Sequence, residues 1–368
     1  MDISANDLIR DKMEEETLKL QYAKERRRKY IFILVCLILA ILCSLWSIVV
    51  GTQEISFSDA YRLIIDHLNG RVFDISTDDG FNDHIIWEYR IPRTFTAIFA
   101  GAILALAGAV MQSVMKNPLA DPYTTGVSSG AVFGVALTTT LGATMGIYLG
   151  RWGSIANSIL FAMIPVAVIV VMSPFFRKSP STLILSGVAI SYLFSSLTSL
   201  LLVTTNAENL AGVYHWEIGH MAELGWDPVW VLLVVLIFGA AVLWPLANKL
   251  NLMSLDDKDA KALGLDGRRL RIACLVLLAL MAACVIAFTG IIGFVGLVIP
   301  HIVRLILGSD NKFILPAAMA FGAFFLLFCD IISRSLDLGA TIPIGVVTSF
   351  IGAPIFMLLI IMQKKAVW

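Results

Sequence analysis

Uncharged apolar runs alternate with short charged segments along almost the whole chain, and their lengths decide what it can be. Stretches without Asp, Glu, Lys or Arg occupy 30–53, 94–115, 123–150, 152–176, 179–207, 228–248, 272–303, 313–329 and 338–363. A helix needs about 20 apolar residues to cross a bilayer, so these runs read as membrane helices. The run 272–303 would form a helix of about 48 Å, too long for one crossing of a hydrocarbon core of about 30 Å. Basic residues flank it on both sides, Arg268, Arg269 and Arg271 before and Arg304 and Lys312 after. Two short helices with a turn near Thr289–Gly293 fit that pattern, which gives ten transmembrane helices. The run ArgArgArgLys at 26–29 and the pair Lys364 and Lys365 place both termini in the cytosol by the positive-inside rule.

The loops divide by charge in the same way. Arg177, Lys178, Lys249, Lys258 and Lys261 fall inside, whereas Glu208, Glu217, Glu223 and Asp227 share an outer loop with no Lys or Arg. Trp152, Trp216, Trp226 and Trp230 fall at outer interfaces, where an aromatic belt is expected. The expected organisation is a polar cytosolic tail at 1–29, one all-α membrane domain at 30–363 and a short cytosolic end at 364–368. The first outer segment, 54–92, is expected to hold a helix near 58–68 capped by Ser58. The largest cytosolic loop is 249–271.

Composition agrees. The chain is 58% hydrophobic and 15% charged over 368 residues, with a mean hydropathy of +0.85, which places it among polytopic membrane proteins. A net charge of zero gives no footprint for nucleic acid. Cys36, Cys43, Cys274, Cys284 and Cys329 all lie in apolar runs without ligand spacing, so neither a disulfide framework nor a metal centre is expected. No cofactor is implied.

The chemistry is defined first by what the sequence lacks. No G-x-x-x-x-G-K-[ST] run is present, and no expected span has an Asp, Glu, Lys or Arg near its middle, where proton- or sodium-coupled carriers place ionisable groups. An ion-coupled secondary transporter is therefore the weaker reading, and an intramembrane enzyme weaker still. A transporter of this kind must draw its energy from another subunit. The loop Leu250–Gly264 offers the contact. Asp256 can cap a short helix from Asp257 to Leu263, with Asp259 in its first turn and Gly264 as its stop. Ala260 and Leu263 then share one face, a small apolar ridge suited to a partner's groove.

Four ordered segments carry a family resemblance. They are Arg90–Gly134, which combines a Pro-fixed basic start with a Gly/Ala-rich span and the turn AsnProLeuAlaAspPro; Leu250–Gly264; Gly290–Arg304, with ProHis301; and Ile342–Pro354. Together the chain resembles the FecCD-type permeases, the membrane subunits of type II ABC importers for ferric siderophores, haem and cobalamin, over about residues 50–362. The resemblance implies ten helices, a second permease copy or homologue, two cytosolic ATPases, an extracytoplasmic binding protein and a prokaryotic inner-membrane location. It implies no enzymatic activity in this chain and favours an iron chelate, ferric siderophore first, with haem or cobalamin as alternatives.

By the same resemblance, Leu252, Leu255, Asp256, Asp259, Ala260, Leu263 and Gly264 belong to the ATPase-coupling element. Arg90, Arg93 and Arg334 meet acidic groups of the binding protein, and Asn117 and Leu119 form the cytosolic gate. The family pattern has Gly at the position of Asp256. His215 and His220 depart from the family pattern in the outer loop and are read as lining the mouth. Gly126, Gly130 and Gly134 are read as helix-packing positions.

Overall fold

A computed structural model describes residues 5–142, 151–172, 180–222, 224–255, 257–336 and 342–363. Among them every regular element is helical. In chain order these are α1 (Ala5–Val49), α2 (Phe57–Leu68), α3 (Asp78–His84), α4 (Ile91–Met115), α5 (Val127–Leu141), α6 (Arg151–Met172), α7 (Pro180–Val203) and α8 (Ala207–Glu217). Then follow α9 (Asp227–Leu243), α10 (Ala247–Leu252), α11 (Asp257–Ala262), α12 (Gly267–Thr289), α13 (Val295–Leu307), α14 (Asn311–Ser335) and α15 (Ile344–Gln363). A π-helical turn, Ile85–Arg90, joins α3 to α4 without a break. Seven helices among the described residues are long and apolar enough to cross a membrane, and Val127–Leu141, Asp227–Leu243 and Val295–Leu307 are shorter apolar helices.

The bundle is built around α4, in which 20 of 25 residues are buried. Its small residues let neighbouring backbones touch. A Cβ on Gly101 would lie 2.3 Å from the Gly322 carbonyl oxygen of α14, and one on Gly108 would lie 1.8 Å from the Gly296 carbonyl oxygen of α13. The same device joins α5 to α6, where Gly130 faces the Phe161 carbonyl and Gly134 the Asn157 carbonyl. Gly126, at a φ of +89°, lies between Pro165 of α6 and Gly187 of α7.

Contacts between elements define two faces. On the first, Lys29 lies over the Phe313 ring, Arg28 donates to the Ile306 carbonyl and Lys116 donates to the Leu255 carbonyl at 2.6 Å. On the opposite face, Ser47 and Thr94 share a hydrogen bond of 2.7 Å, and Arg334 reaches the Ser47 and Val50 carbonyls. The helices α1, α4 and α14 connect these faces over about 28–33 Å at 1.5 Å per residue, the thickness of a hydrocarbon core. Basic residues 26–29, 116, 249, 268, 269 and 312 gather toward the first face.

The turn expected inside 272–303 is present, since α12 ends at Thr289 and α13 begins at Val295. It is fixed by three glycines. Gly290 sits on the Trp216 carbonyl, Gly219 on the Ile291 carbonyl and Gly345 on the Ile218 carbonyl, each leaving no room for a Cβ. One expectation needs correcting. The cap of α2 is Ser56, whose Oγ accepts from the Asp59 amide at 3.1 Å and donates to the Asp59 carboxylate at 2.6 Å, so the cap stands two residues earlier than Ser58. The polar stretch before residue 30, from Ala5 on, continues α1 as helix, and residues 18–28 are exposed.

Crowding at α4 generates a prediction. Gly108→Val should destabilise the purified protein by roughly 1–3 kcal/mol through overpacking, read as a lower unfolding temperature in detergent. Gly212→Ala, inside α8 where nothing lies within 4 Å of the added atom, should not lower that temperature.

Candidate functional site

The arginines expected at the outer rim are held inside the protein. Arg90 is 5% exposed and Arg334 9%, and the Arg93 side chain is 12% exposed. The reason lies in α1. A helix leaves its last four carbonyls without internal partners, and in lipid those groups need donors. Arg90 donates to the carbonyls of Ile48 and Val49 at 3.0 and 2.7 Å and to that of Gln53. Arg334 donates to the carbonyls of Ser47 and Val50 at 2.9 and 2.8 Å. The two guanidinium forks thus cap the C-terminus of α1 and favour the negative end of its dipole.

Asp330, fully buried, pairs with Arg93 at 2.8 Å and with Arg334 at 2.9 Å. The charge-free run ending at 329 therefore understated this helix, because α14 continues through Asp330 and Arg334. Three guanidinium groups stand against one carboxylate, and they line a pocket of about 310 Å³ with Gly51, Gln53 and Tyr89. The cluster carries net positive charge and has room above it.

At the first face the expected gate turn is a local Asx turn. The Asn117 side chain accepts from the Leu119 amide at 2.9 Å, and Leu119 is 46% exposed. Lys116 ends α4 in the left-handed region at φ +50°, and Arg271 donates to the orphan Val114 carbonyl at 2.9 Å. Beyond the turn the chain folds back into the bundle. Ala120 is fully buried, and Asp121, 9% exposed, caps the short helix Pro122–Thr125 by accepting from the Tyr123 amide at 2.8 Å. Its other carboxylate oxygen lies 2.6 Å from where a Cβ on Gly296 would stand. Asp121 therefore reaches the level of Gly108, about 12 Å along α4 from Lys116. Charge-free runs hid this buried carboxylate because they were scored by sequence position, not depth.

The coupling loop is only partly as expected. Asp256, and with it the proposed cap, lies outside the described residues. The helix α11 ends at Ala262, one residue short of the expected boundary, and Gly264 stops it at φ +83° while Leu265 donates to the Ala260 carbonyl at 2.9 Å. The apolar ridge is a correction. Ala260 is 2% exposed and joins the core beside Met253 and Leu265, whereas Leu263 is 62% exposed. Leu252 packs partly against the same core, and Leu255, Asp259 and Gly264 are exposed. The outward surface of this loop is formed by Leu255, Asp259, Leu263 and Gly264.

Between the loop and the Asn117 turn lies a polar network that gave no signal in the sequence. Asn251 accepts from the Asn311 amide and side chain at 2.8 and 2.9 Å and donates to Asp310 at 2.8 Å. Asn311 accepts from Ser113 at 3.0 Å, and Arg304 donates to Ser113 at 2.7 Å and to the Ala109 carbonyl at 2.9 Å. Ser113, Asn117, Asn251, Arg304 and Asn311 line a pocket of about 330 Å³. In the outer loop, His215 is exposed at the end of α8 and His220 is half-buried, its amide bonded to the Thr289 carbonyl at 2.9 Å. Burial raises the Glu217 carboxyl above its ordinary value. Among the described residues no three His, Cys, Asp or Glu side chains converge.

Comparison with known proteins adds a second line. The FecCD transport family profile matches residues 37–362. A molybdate import system permease of Haemophilus influenzae is 37% identical over 289 residues, covering 78% of this chain and 84% of that one. A hemin transport system permease of Yersinia pestis is 31% identical over 332 residues, covering 89% and 95%. A solved inward-facing structure described as a metal-chelate type ABC transporter aligns with a TM-score of 0.75 at 32% identity, covering 90% of this chain and 99% of that one.

The outer cluster yields a stability test. Asp330→Asn should cost about 3–5 kcal/mol, because it leaves buried guanidinium groups without their carboxylate. The measure is denaturant or thermal unfolding in detergent, where wild-type stability in the variant would contradict the pairing.

Proposed function

The chain belongs to the FecCD transport family, and from that membership we propose that it is the permease subunit of a binding-protein-dependent ABC importer in a prokaryotic inner membrane. The three shorter apolar helices complete ten crossings with the seven longer ones, and the basic face is cytosolic, with both termini there. ATP hydrolysis belongs to two separate ATPase subunits, and a second copy or a homologous permease completes the pathway. The observation that carries this reading is the pairing of an exposed, partner-sized surface on α11 with a polar network leading from its loop to the gate turn.

Each part of the chain then has a role. Leu255, Asp259, Leu263 and Gly264 face the ATPase. Leu252 and Ala260, turned inward, anchor the loop so that force on it reaches the bundle. Asn117 and Leu119 form the cytosolic constriction with their counterparts in the second subunit. At the outer face, an acidic side chain of the binding protein enters the pocket above Arg90, Arg93 and Arg334 and meets their excess positive charge. A guanidinium fork pairs well with carboxylate there.

The cargo is a metal chelate, with a ferric siderophore first and haem or cobalamin as alternatives. Support comes from the metal-chelate description of the aligned structure and from the hemin permease relative. The molybdate relative widens the field to an oxyanion. The chain's small, uncharged helix surfaces suit bulky cargo held by shape, with discrimination resting on the binding protein.

Uptake by proteoliposomes containing the permease, ATPases and binding protein tests the reading. Labelled ferric siderophore, haem, cobalamin and molybdate should compete unequally, and accumulation should require ATP. Accumulation driven by an ion gradient without the ATPases would overturn it in favour of a secondary transporter. Leu263→Asp should weaken ATPase assembly by about 2 kcal/mol, the cost of removing an interface anchor, or roughly thirtyfold in affinity. Arg93→Glu should weaken capture of the binding protein in a pull-down at low salt, and unchanged capture would remove the outer cluster from the docking surface.

A further inference from the structure

A groove of about 900 Å³ lies on the outside of the bundle, where α1, α9, α10 and the start of α14 meet. It belongs to none of the surfaces described above. Its polarity is ordered along its length, and three chain segments agree on the direction. Along α1 the lining passes from Tyr22 and Arg26 to Tyr30 and Ile33. Along α14 it passes from Lys312 to Phe313 and Pro316. From α10 back into α9 it passes from Asn248 to Trp244, Ala241 and Ala240. One end therefore offers cations and polar groups, the other only apolar surface. The basic end lies at the same face as the 26–29 run, where Lys29 covers the Phe313 ring. No carboxylate is among the residues that line it.

The aromatic residues point the same way. Trp244 is 54% exposed and Tyr22 66%, and an amphipathic ring left open at a membrane–water boundary is placed to meet lipid. Arg26 lies over the Tyr30 ring, 5.5 Å from its centroid, which holds the guanidinium at the rim of the groove. An ATPase surface would not present a continuous apolar floor running into the membrane. A soluble anion would have no use for that floor either.

We propose that this groove is a binding site for an anionic phospholipid of the leaflet facing the basic side, with its phosphodiester between Arg26 and Lys312 and an acyl chain along Ala240, Ala241 and Pro316. The site joins α1 to α9 and α14 at their basic ends. Bound lipid there clamps the extended N-terminal part of α1 against the bundle. Basic pockets between membrane helices recognise anionic headgroups by this combination of charge and adjoining apolar surface.

The test uses the purified full-length chain and native mass spectrometry with phosphatidylglycerol or phosphatidylcholine at equal concentration. The wild type should retain phosphatidylglycerol preferentially. Arg26→Ala/Lys312→Ala should lose about fivefold in retention for each cation, or roughly thirtyfold together. The control Arg268→Ala/Arg269→Ala, which removes equal charge from exposed positions at the same face, should retain the lipid as wild type does. Ala241→Trp, which fills the apolar floor and keeps both cations, should also lose it. Equal retention of the two lipids, equal loss in the control or full retention in either groove variant would overturn the proposal. So would displacement of the lipid by millimolar inorganic phosphate, which would mark a site for a soluble anion. Monodispersity on size exclusion confirms that each variant is folded before it is scored.

Discussion

In a bilayer the hydrophobic effect does not draw one helix toward another, so this bundle rests on how closely backbones can approach. The dominant contacts run through α4, where Gly101 meets Gly322 and Gly108 meets Gly296 at separations that exclude even a methyl group. Close approach of this kind gains dispersion contacts along the whole crossing and is how small residues hold membrane helices together. With α4 fixed against α13 and α14, its two ends are fixed too. The arginine cluster and the Asn117 turn are both consequences of where that helix begins and stops.

The C-termini of α1 and α4 face the same difficulty, which is that a helix's last carbonyls lack internal partners where water is scarce. The protein meets it with arginine each time. Arg90 and Arg334 satisfy the end of α1, and Arg271 satisfies the end of α4. Capping arginines must be buried to do this, and buried charge in turn requires Asp330 as counter-charge. One carboxylate among three guanidinium groups pairs with two of them and leaves net positive charge at that face. Under the proposed function, structural and docking roles are compatible in the same residues, because capping uses some donors of each fork and leaves the net charge in place.

How far the sequence made this visible depends on the kind of interaction. Helix positions followed from charge-free runs, and the split of 272–303 followed from its length and flanking basic residues, since both are properties of chain distance alone. The glycines of α4 and α5 signalled close packing for the same reason. What stayed hidden was three-dimensional. Arg90 and Arg334 looked like free surface charges because nothing local shows that the end of α1, some 40 residues before Arg90 and far from Arg334, lies beside them. Ala260 and Leu263 share a face on a helical wheel, but the wheel does not say that the bundle covers Ala260 and leaves Leu263 open. Asn251, Asn311 and Ser113 form a network across nearly 200 residues with no spacing that announces it.

Under the proposed function, the arrangement at the basic face decides how force enters the bundle. The helix α11 is short and cannot deform much internally, and Ala260 and Leu265 seat it in the core, so a push on Leu263 moves the loop as a unit. Two connections carry that displacement inward. Lys116 holds the Leu255 carbonyl directly from the end of α4, and Asn251 holds the first turn of α14 through Asn311 and Asp310. Because Ser113 ties Asn311 back to α4, both routes converge on the same turn of the same helix, one step before Asn117. A helix packed backbone to backbone at Gly101 and Gly108 resists sliding there. Under that function the segment from Ser113 to Asp121, which both routes reach, is where an ATPase-driven movement is converted into a change at the gate.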